Sequence, residues 1–359
     1  MPATGFNYPG PFNTFIPNHE ATGKLVINYS RNPRDFPLNQ YVTLQPVKQV
    51  AGYYMHVAAE NAARVLSTRA EDQVWPEGQT APQGNWNTEA INWRQYSCIR
   101  YATPWQVGKM TVDNASWDVL DVIRAQAAQQ RMTARAQVVL QRLLDTSLWG
   151  ANTATAESLA GGGTGGVHLG TAADPRFKRI LLNVARQINR ATLGTVNTKD
   201  LVMVMSPTVA SALATSEEIH AYLQQSPFAL AQIRGDVPNQ NGTWGLPEVL
   251  YGVRLIIEDT VIVTDTKQVN RQATTRYALD PATGNDHKVL VLARPGGLVS
   301  YSGPNFSTVH LFMYEEMVVE EKYDEDNRVY RGRIVDNFAV EVVSPISGYL
   351  ITDALKPGA

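Results

Sequence analysis

The chain has 359 residues, 44% of them hydrophobic, and a formal net charge of −2. That length exceeds the roughly 250–300 residues at which single cores stop growing, so two or more compact units are expected, and near-neutrality argues against a protein whose main work is neutralising phosphates. One cysteine, Cys98, excludes an internal disulfide and fits a reducing cytoplasm.

Residues 1–46 carry Pro2, Pro9, Pro11, Pro17, Pro33, Pro37 and Pro46. Each removes an N–H and extends the residue before it, which predicts an extended arm with one strand at 24–29. Residues 47–66 are rich in Ala, Val and Tyr and fit either a helix or a strand–helix pair. Residues 70–100 hold Pro-Glu-Gly and Pro-Gln-Gly turn signals and three tryptophans, Trp75, Trp86 and Trp93, on otherwise polar chain. A two-stranded excursion is predicted, with 99–111 as its return leg. An isolated hairpin is marginal in water, so this one should lie on something. Ala, Gln, Arg and Leu then predict one uninterrupted helix over 116–149, capped by Asp113 or Ser116 and ended by Gly150. At 1.5 Å per residue it would be a rod of roughly 50 Å. Its first half should lie on a surface and its second half be buried on several sides.

Gly161 to Gly166 is a glycine-rich connector, and Asp174-Pro175 opens a second helix with core face Phe177, Ile180, Leu181, Val184 and Ile188, ended by Gly194. Residues 201–205 read as a buried strand, Ser206-Pro207 and Ser216 each open a short helix, and strands follow at 253–258, 261–263, 276–279 and 288–293. Two long strands, 310–322 and 329–343, are joined across a charged turn, Asp324-Glu325-Asp326-Asn327-Arg328.

Little of this resembles chemistry. The glycine run has Val167-His168 where a phosphate loop needs Lys and a hydroxyl. The 324–328 turn has Arg328 at the fifth ligand position of a calcium loop and lacks the central glycine and closing glutamate. The histidines (His19, His56, His168, His220, His287, His310) are scattered singly, without metal-ligand spacing. There is no Gly-x-Ser-x-Gly elbow; Cys98 reads as a packed, inert thiol, and Glu258 with Asp259 as a strand end and turn. No catalytic residue, metal or cofactor is expected. The tryptophans either pack within their own subunit or anchor an interface, where Trp and Arg are enriched. Arg69, Arg94 and Arg100 stand beside them. No apolar run reaches the roughly 18–20 residues of a membrane span, and the start Met1-Pro2-Ala3-Thr4 has no signal-peptide character, so a soluble, intracellular chain is expected.

The order of parts resembles the major capsid protein of tailed bacteriophages, the Hong-Kong-ninety-seven-type fold shared with encapsulins. The resemblance is carried by the proline-rich arm, the loop around VWPEGQTAPQGNWNTEAINWRQYSCIRYATPW, the helix start WDVLDVIRAQAAQQRMTARAQVV, the segment DPRFKRILLNVARQINR with DLVMVMSPTVASAL, and the hairpin HLFMYEEMVVEEKYDEDNRVYRGRIV. It covers essentially the whole chain and rests on order and spacing. It implies an α+β chain with an N-terminal arm (1–46), an arm-to-loop connection (47–69), an extended loop (70–112), a peripheral domain (113–173 and 309–341, with spine helix and hairpin) and an axial domain (174–308 and 342–359).

By that resemblance the protein is a structural shell subunit assembling through hexamers and pentamers into an icosahedral virion capsid in the host cytoplasm. It would enclose double-stranded DNA without sequence-specific contact and need no membrane. Trp75, Trp86, Trp93, Arg69, Arg94, Arg100, Asp324, Glu325, Asp326 and Arg328 are the expected inter-subunit residues, and residues 225–245 would face the capsomer axis. A separate scaffolding protein, a portal and a decoration protein are the implied partners; the native-looking Met1 favours separate scaffolding over a removed N-terminal region. Some relatives join subunits by a lysine–asparagine bond with the lysine on the extended loop, but residues 49–108 contain no lysine, so no such crosslink is expected. The alternatives are an encapsulin-like compartment around protein cargo, or an α/β enzyme with a flexible N-terminal appendage.

Overall fold

A computed structural model describes residues 36–57, 77, 92–115, 117–161, 169, 176–192, 194–239, 241–264, 274–282, 284, 286–294 and 307–355. Their elements run α1 (Leu38–Tyr41), β1 (Thr43–Pro46), β2 (Ala51–His56), β3 (Asn92–Ser97), β4 (Ile99–Gly108), α2 (Lys109–Asn114), α3 (Val119–Leu143), β5 (Thr153–Thr155), α4 (Ala156–Leu159) and α5 (Phe177–Ala191). Then come β6 (Leu201–Met205), α6 (Pro207–Ala214), α7 (Glu217–Gln225), α8 (Pro227–Arg234), β7 (Val249–Leu250), β8 (Val253–Ile257), β9 (Val261–Val263), β10 (Thr275–Tyr277), β11 (Val289–Ala293), β12 (Val309–Asp324), β13 (Val329–Val342) and β14 (Gly348–Thr352). Two compact units result. The described part of the first is drawn from Arg100–Met132 and Glu315–Asp336; that of the second from Phe36–Ile99, Thr133–Tyr314 and Asn337–Ala359.

In the first unit β13 lies between β12 and β4. Met317, with φ +50, interrupts β12. Residues 315 and 320 would face opposite sides of a regular strand because their separation is odd. Yet Glu315 and Glu320 both reach Arg100, at 3.9 and 3.4 Å. A β-bulge at Met317 supplies the extra residue that puts them on one side. Glu320 also pairs with Arg333, and Arg124 grips both oxygens of Glu321 at 2.8 Å. Trp105 lies flat against Gly332, where a Cβ would stand 2.2 Å from the indole Cζ2. Gly332→Ala is therefore expected to displace Trp105 and cost about 1–3 kcal/mol, read as a shift in urea midpoint at unchanged m-value.

The second unit is built on a six-stranded sheet ordered β5-β14-β11-β6-β8-β7. Its centre, LVMVM in β6 and VLVLA in β11, is buried at every position. Continuous apolar strands of this kind need cover on both faces. β6 runs parallel to β8 and antiparallel to β11. On one side Phe177, Ile180, Leu181, Val184 and Ile188 of α5 join the odd-numbered residues of β6 in one core. Gly194 closes that helix at φ +83, its N–H donating to the Asn189 carbonyl at 2.8 Å. The Ser206 hydroxyl accepts from the Val209 N–H and Pro207 occupies the first turn of α6.

Several expectations need correction. The long helix covers Val119–Leu143, not 116–149; a turn and a short 3₁₀ segment, Thr146–Leu148, follow, with the Asp145 carboxylate capping the Ser147 N–H. Asp113 falls inside α2, and Asp118 makes the capping bond instead, accepting from the Asp121 N–H at 3.0 Å. Lys109–Asn114 is helix rather than return strand, because the β4 alternation stops at Gly108. In the second half of α3 the buried residues are 131/132, 135/136, 139/140 and 143. That is one broad stripe about half-way round the rod, not burial on several sides. Ser216 does open α7, standing at its N-cap, but its hydroxyl donates to the Leu213 carbonyl instead of accepting from the helix, and the nearby Glu218 carboxylate caps α5 by accepting from the Phe177 and Lys178 amides at 2.8 and 3.0 Å. The predicted arm strand at 24–29 and the Asp174-Pro175 helix start lie outside the described residues.

Candidate assembly surface

β2 and β3 form an antiparallel ribbon in which Tyr54 opposes Arg94, Met55 opposes Trp93 and Tyr53 opposes Gln95. The pleat sorts these residues onto two faces. One face is packed: the Tyr96 ring stacks on Phe312 at 4.5 Å between centroids, Tyr54 sits 5.5 Å from the same ring, and Cys98, Ala339 and Val343 complete a small core. Gly52 belongs to this face, since a Cβ there would lie 2.7 Å from the Tyr96 hydroxyl. Tyr54 donates to Glu341 at 3.3 Å, and burial, then the Glu341 charge, push its phenol up to about 12. The other face carries Tyr53, Met55 and Trp93, exposed at 70%, 47% and 62%. Three large apolar side chains lie side by side on a ribbon that, among the described residues, is packed from the other face.

The remaining expected interface residues divide by environment. Arg94 sits on the register positions of the packed face, near enough to Tyr54, His56 and Glu341 to bear on their titration. Arg100 is engaged by Glu315 and Glu320 of its own chain. At the hairpin turn the Asp324 carboxylate accepts from the Asn327 side-chain and backbone N–H groups and pairs with Arg331 at 2.9 Å. These bonds, the side-chain one first, hold its pKa below the ordinary carboxylate range. Glu325, Asp326 and Arg328 are exposed, with Arg328 at φ +50 and its carbonyl accepting the Lys109 amide. Trp75, Trp86 and Arg69 lie outside the described residues.

Among the described residues no catalytic constellation assembles. Among the described residues no His/Cys/Asp/Glu group could hold a metal ion, and no helix is long and apolar enough to cross a membrane. Burial raises the Cys98 thiol pKa, and its sulfur rests 3.6 Å from the Phe312 carbonyl. Sequence reasoning read Glu258 as a strand end before a turn and did not reveal its burial. It is fully buried and accepts from the Tyr41 hydroxyl at 2.7 Å and from the Thr260 hydroxyl. Burial raises its pKa, with the two hydroxyl donors opposing and Asp259 adding to the rise. Without a cation in this network, it is a structural tie between the α1 segment and the end of β8. A folded pKa above the unfolded one favours the protonated folded form, so its contribution is complete below the ordinary glutamate range and falls as pH rises through the raised value. Glu258→Gln is expected to flatten that fall between about pH 5 and pH 8, where stability otherwise peaks, as measured by urea unfolding at both pH values. A wild type that loses nothing on the alkaline side relative to the variant would refute it.

No family model matches the sequence, and no curated protein matches it either. Among solved structures the chain is similar to a phage-related protein from Bordetella bronchiseptica RB50, with a TM-score of 0.56, 14% identity, and 90% of this chain and 93% of that one covered. It is also similar to a chain of Mycobacterium phage Bobi, with a TM-score of 0.53, 11% identity, and coverage of 92% and 93%. At such identities the likeness speaks to the fold alone.

Proposed function

We propose that this chain, which has the tailed-phage major capsid fold, is the structural subunit of a closed icosahedral shell built from hexamers and pentamers around double-stranded DNA. The observation that carries the proposal is the ribbon face of Tyr53, Met55 and Trp93. Aromatic and Met side chains left outward on a ribbon packed from behind fit a contact with another copy, and shells require many modest heterologous contacts. Within this reading the 324–328 turn meets its symmetry mates, residues 225–245 line the capsomer axis, and the arm, extended-loop, peripheral and axial segments keep the boundaries given above. Assembly in the host cytoplasm would use a separate scaffolding protein and a portal, with a decoration protein as an added outer contact.

Negative-stain micrographs of the purified chain test the proposal: closed particles are expected, and a monodisperse monomer or dimer under all assembly conditions would sink it. Mass spectrometry of the particle contents separates a genome from protein cargo. Because residues 49–108 lack lysine, boiled particles are expected to run as monomer on SDS gels; a covalent ladder would contradict the absence of a loop crosslink.

A further inference from the structure

Residues 176–191 hold five cations, Arg176, Lys178, Arg179, Arg186 and Arg190, and no carboxylate. Most of them belong to α5, whose core face is Phe177, Ile180, Leu181, Val184 and Ile188. At about 100° per residue, the spacing that 3.6 residues per turn gives, Arg179, Arg186 and Arg190 fall within a narrow stripe opposite that core, and all three are exposed. Along the axis they lie roughly 10 Å and 6 Å apart, from a rise of about 1.5 Å per residue. Lys178 is occupied over the Tyr251 ring at 5.3 Å, and Arg176 bonds the Ala160 carbonyl. The Arg179 guanidinium lies against Gly161, a position with φ +98 where no side chain intervenes. The nearest carboxylate in these contacts, Glu218, is committed to the amides of the first turn. Among the described residues no ion pair neutralises Arg179, Arg186 or Arg190. A chain of net charge −2 therefore concentrates three free guanidinium groups on one ridge.

We propose that this arginine ridge is a sequence-independent contact for the phosphate backbone of nucleic acid. The proposal rests on the shell reading for its biological setting, because it supplies the enclosed DNA. Two features favour phosphate over an acidic protein. The ridge uses arginine, whose planar fork matches phosphate oxygens. Leu182 is the one large apolar side chain exposed on the helix, whereas a protein interface needs an apolar centre. Such a contact carries no base readout and should depend steeply on salt.

The test titrates a random-sequence duplex of about 30 base pairs, long enough to offer several phosphates to the ridge, onto the unassembled full-length chain by fluorescence anisotropy across a salt series. The triple variant R179Q/R186Q/R190Q is compared with R179K/R186K/R190K; glutamine and lysine both keep helix propensity. The slope of log K against log salt should become shallower by roughly three in the glutamine variant, about one per lost phosphate contact, and stay near wild type in the lysine variant. An unchanged slope in the glutamine variant overturns the proposal, as does a polyglutamate peptide binding the wild-type chain where the duplex does not. Micrographs of the same preparations are scored separately. Failure of the wild type to form shells removes the shell reading, and the slope still judges the ridge.

Discussion

Replacing Trp93 with Asp and Tyr53 with Ser is expected to abolish particle formation while leaving a folded, soluble subunit. Both side chains are largely exposed on the β2–β3 ribbon, so their loss removes little internal packing, and surface changes of this kind stay within about 0.5 kcal/mol in stability. At an interface, buried aromatic side chains are each worth roughly 2 kcal/mol or more. The loss recurs at every copy of the contact, which makes assembly far more sensitive than folding. The reverse face gives the opposite result. Tyr96→Ala removes the ring stacked on Phe312 and should cost about 3–5 kcal/mol of subunit stability. Electron microscopy scores the first effect and urea unfolding the second. Particles that form normally from the Trp93/Tyr53 variant would show that this face is not the contact.

Arg131→Met is expected to destabilise the first unit by about 3–5 kcal/mol, the cost of breaking a buried ion pair by removing one partner. Arg131 and Asp336 are nearly or wholly inaccessible to water, 3.7 Å apart, and the guanidinium also lies 4.9 Å from the Tyr101 ring centre. Removing this cation takes away one of the charges that offset the lost hydration of the Asp336 carboxylate. The double variant R131M/D336L should recover most of the loss, because the pair is replaced by apolar volume. A full cycle of unfolding free energies measures the coupling. A double variant as unstable as the single one would mean that Arg131 acts through packing alone.

The legibility of this chain follows from which forces are local. Strand and helix positions in the second unit could be read directly: an all-apolar run such as Leu201–Met205, a Ser-Pro helix start at Ser206, and a glycine terminator at Gly194 each act over a few residues. The order of those parts was enough to suggest the fold that the solved structures share. Nothing local marked Glu258, whose partner Tyr41 lies 217 positions away. The bulge at Met317 was equally hidden, because valine and glutamate on either side satisfy a regular strand just as well until Arg100 is brought alongside. Propensity predicts a helix over 116–149, longer than the Val119–Leu143 that forms, because it cannot see where the chain must turn back to pack.

Element types, the near-neutral charge and the lack of a recognisable catalytic motif could be read along the chain, since these depend on periodicity and composition. Which ribbon face is covered, which arginines are buried and which stand exposed on α5 emerged from the folded chain alone. Pairing register and burial arise from residues far apart in the chain, and no window along one strand or helix contains its partner.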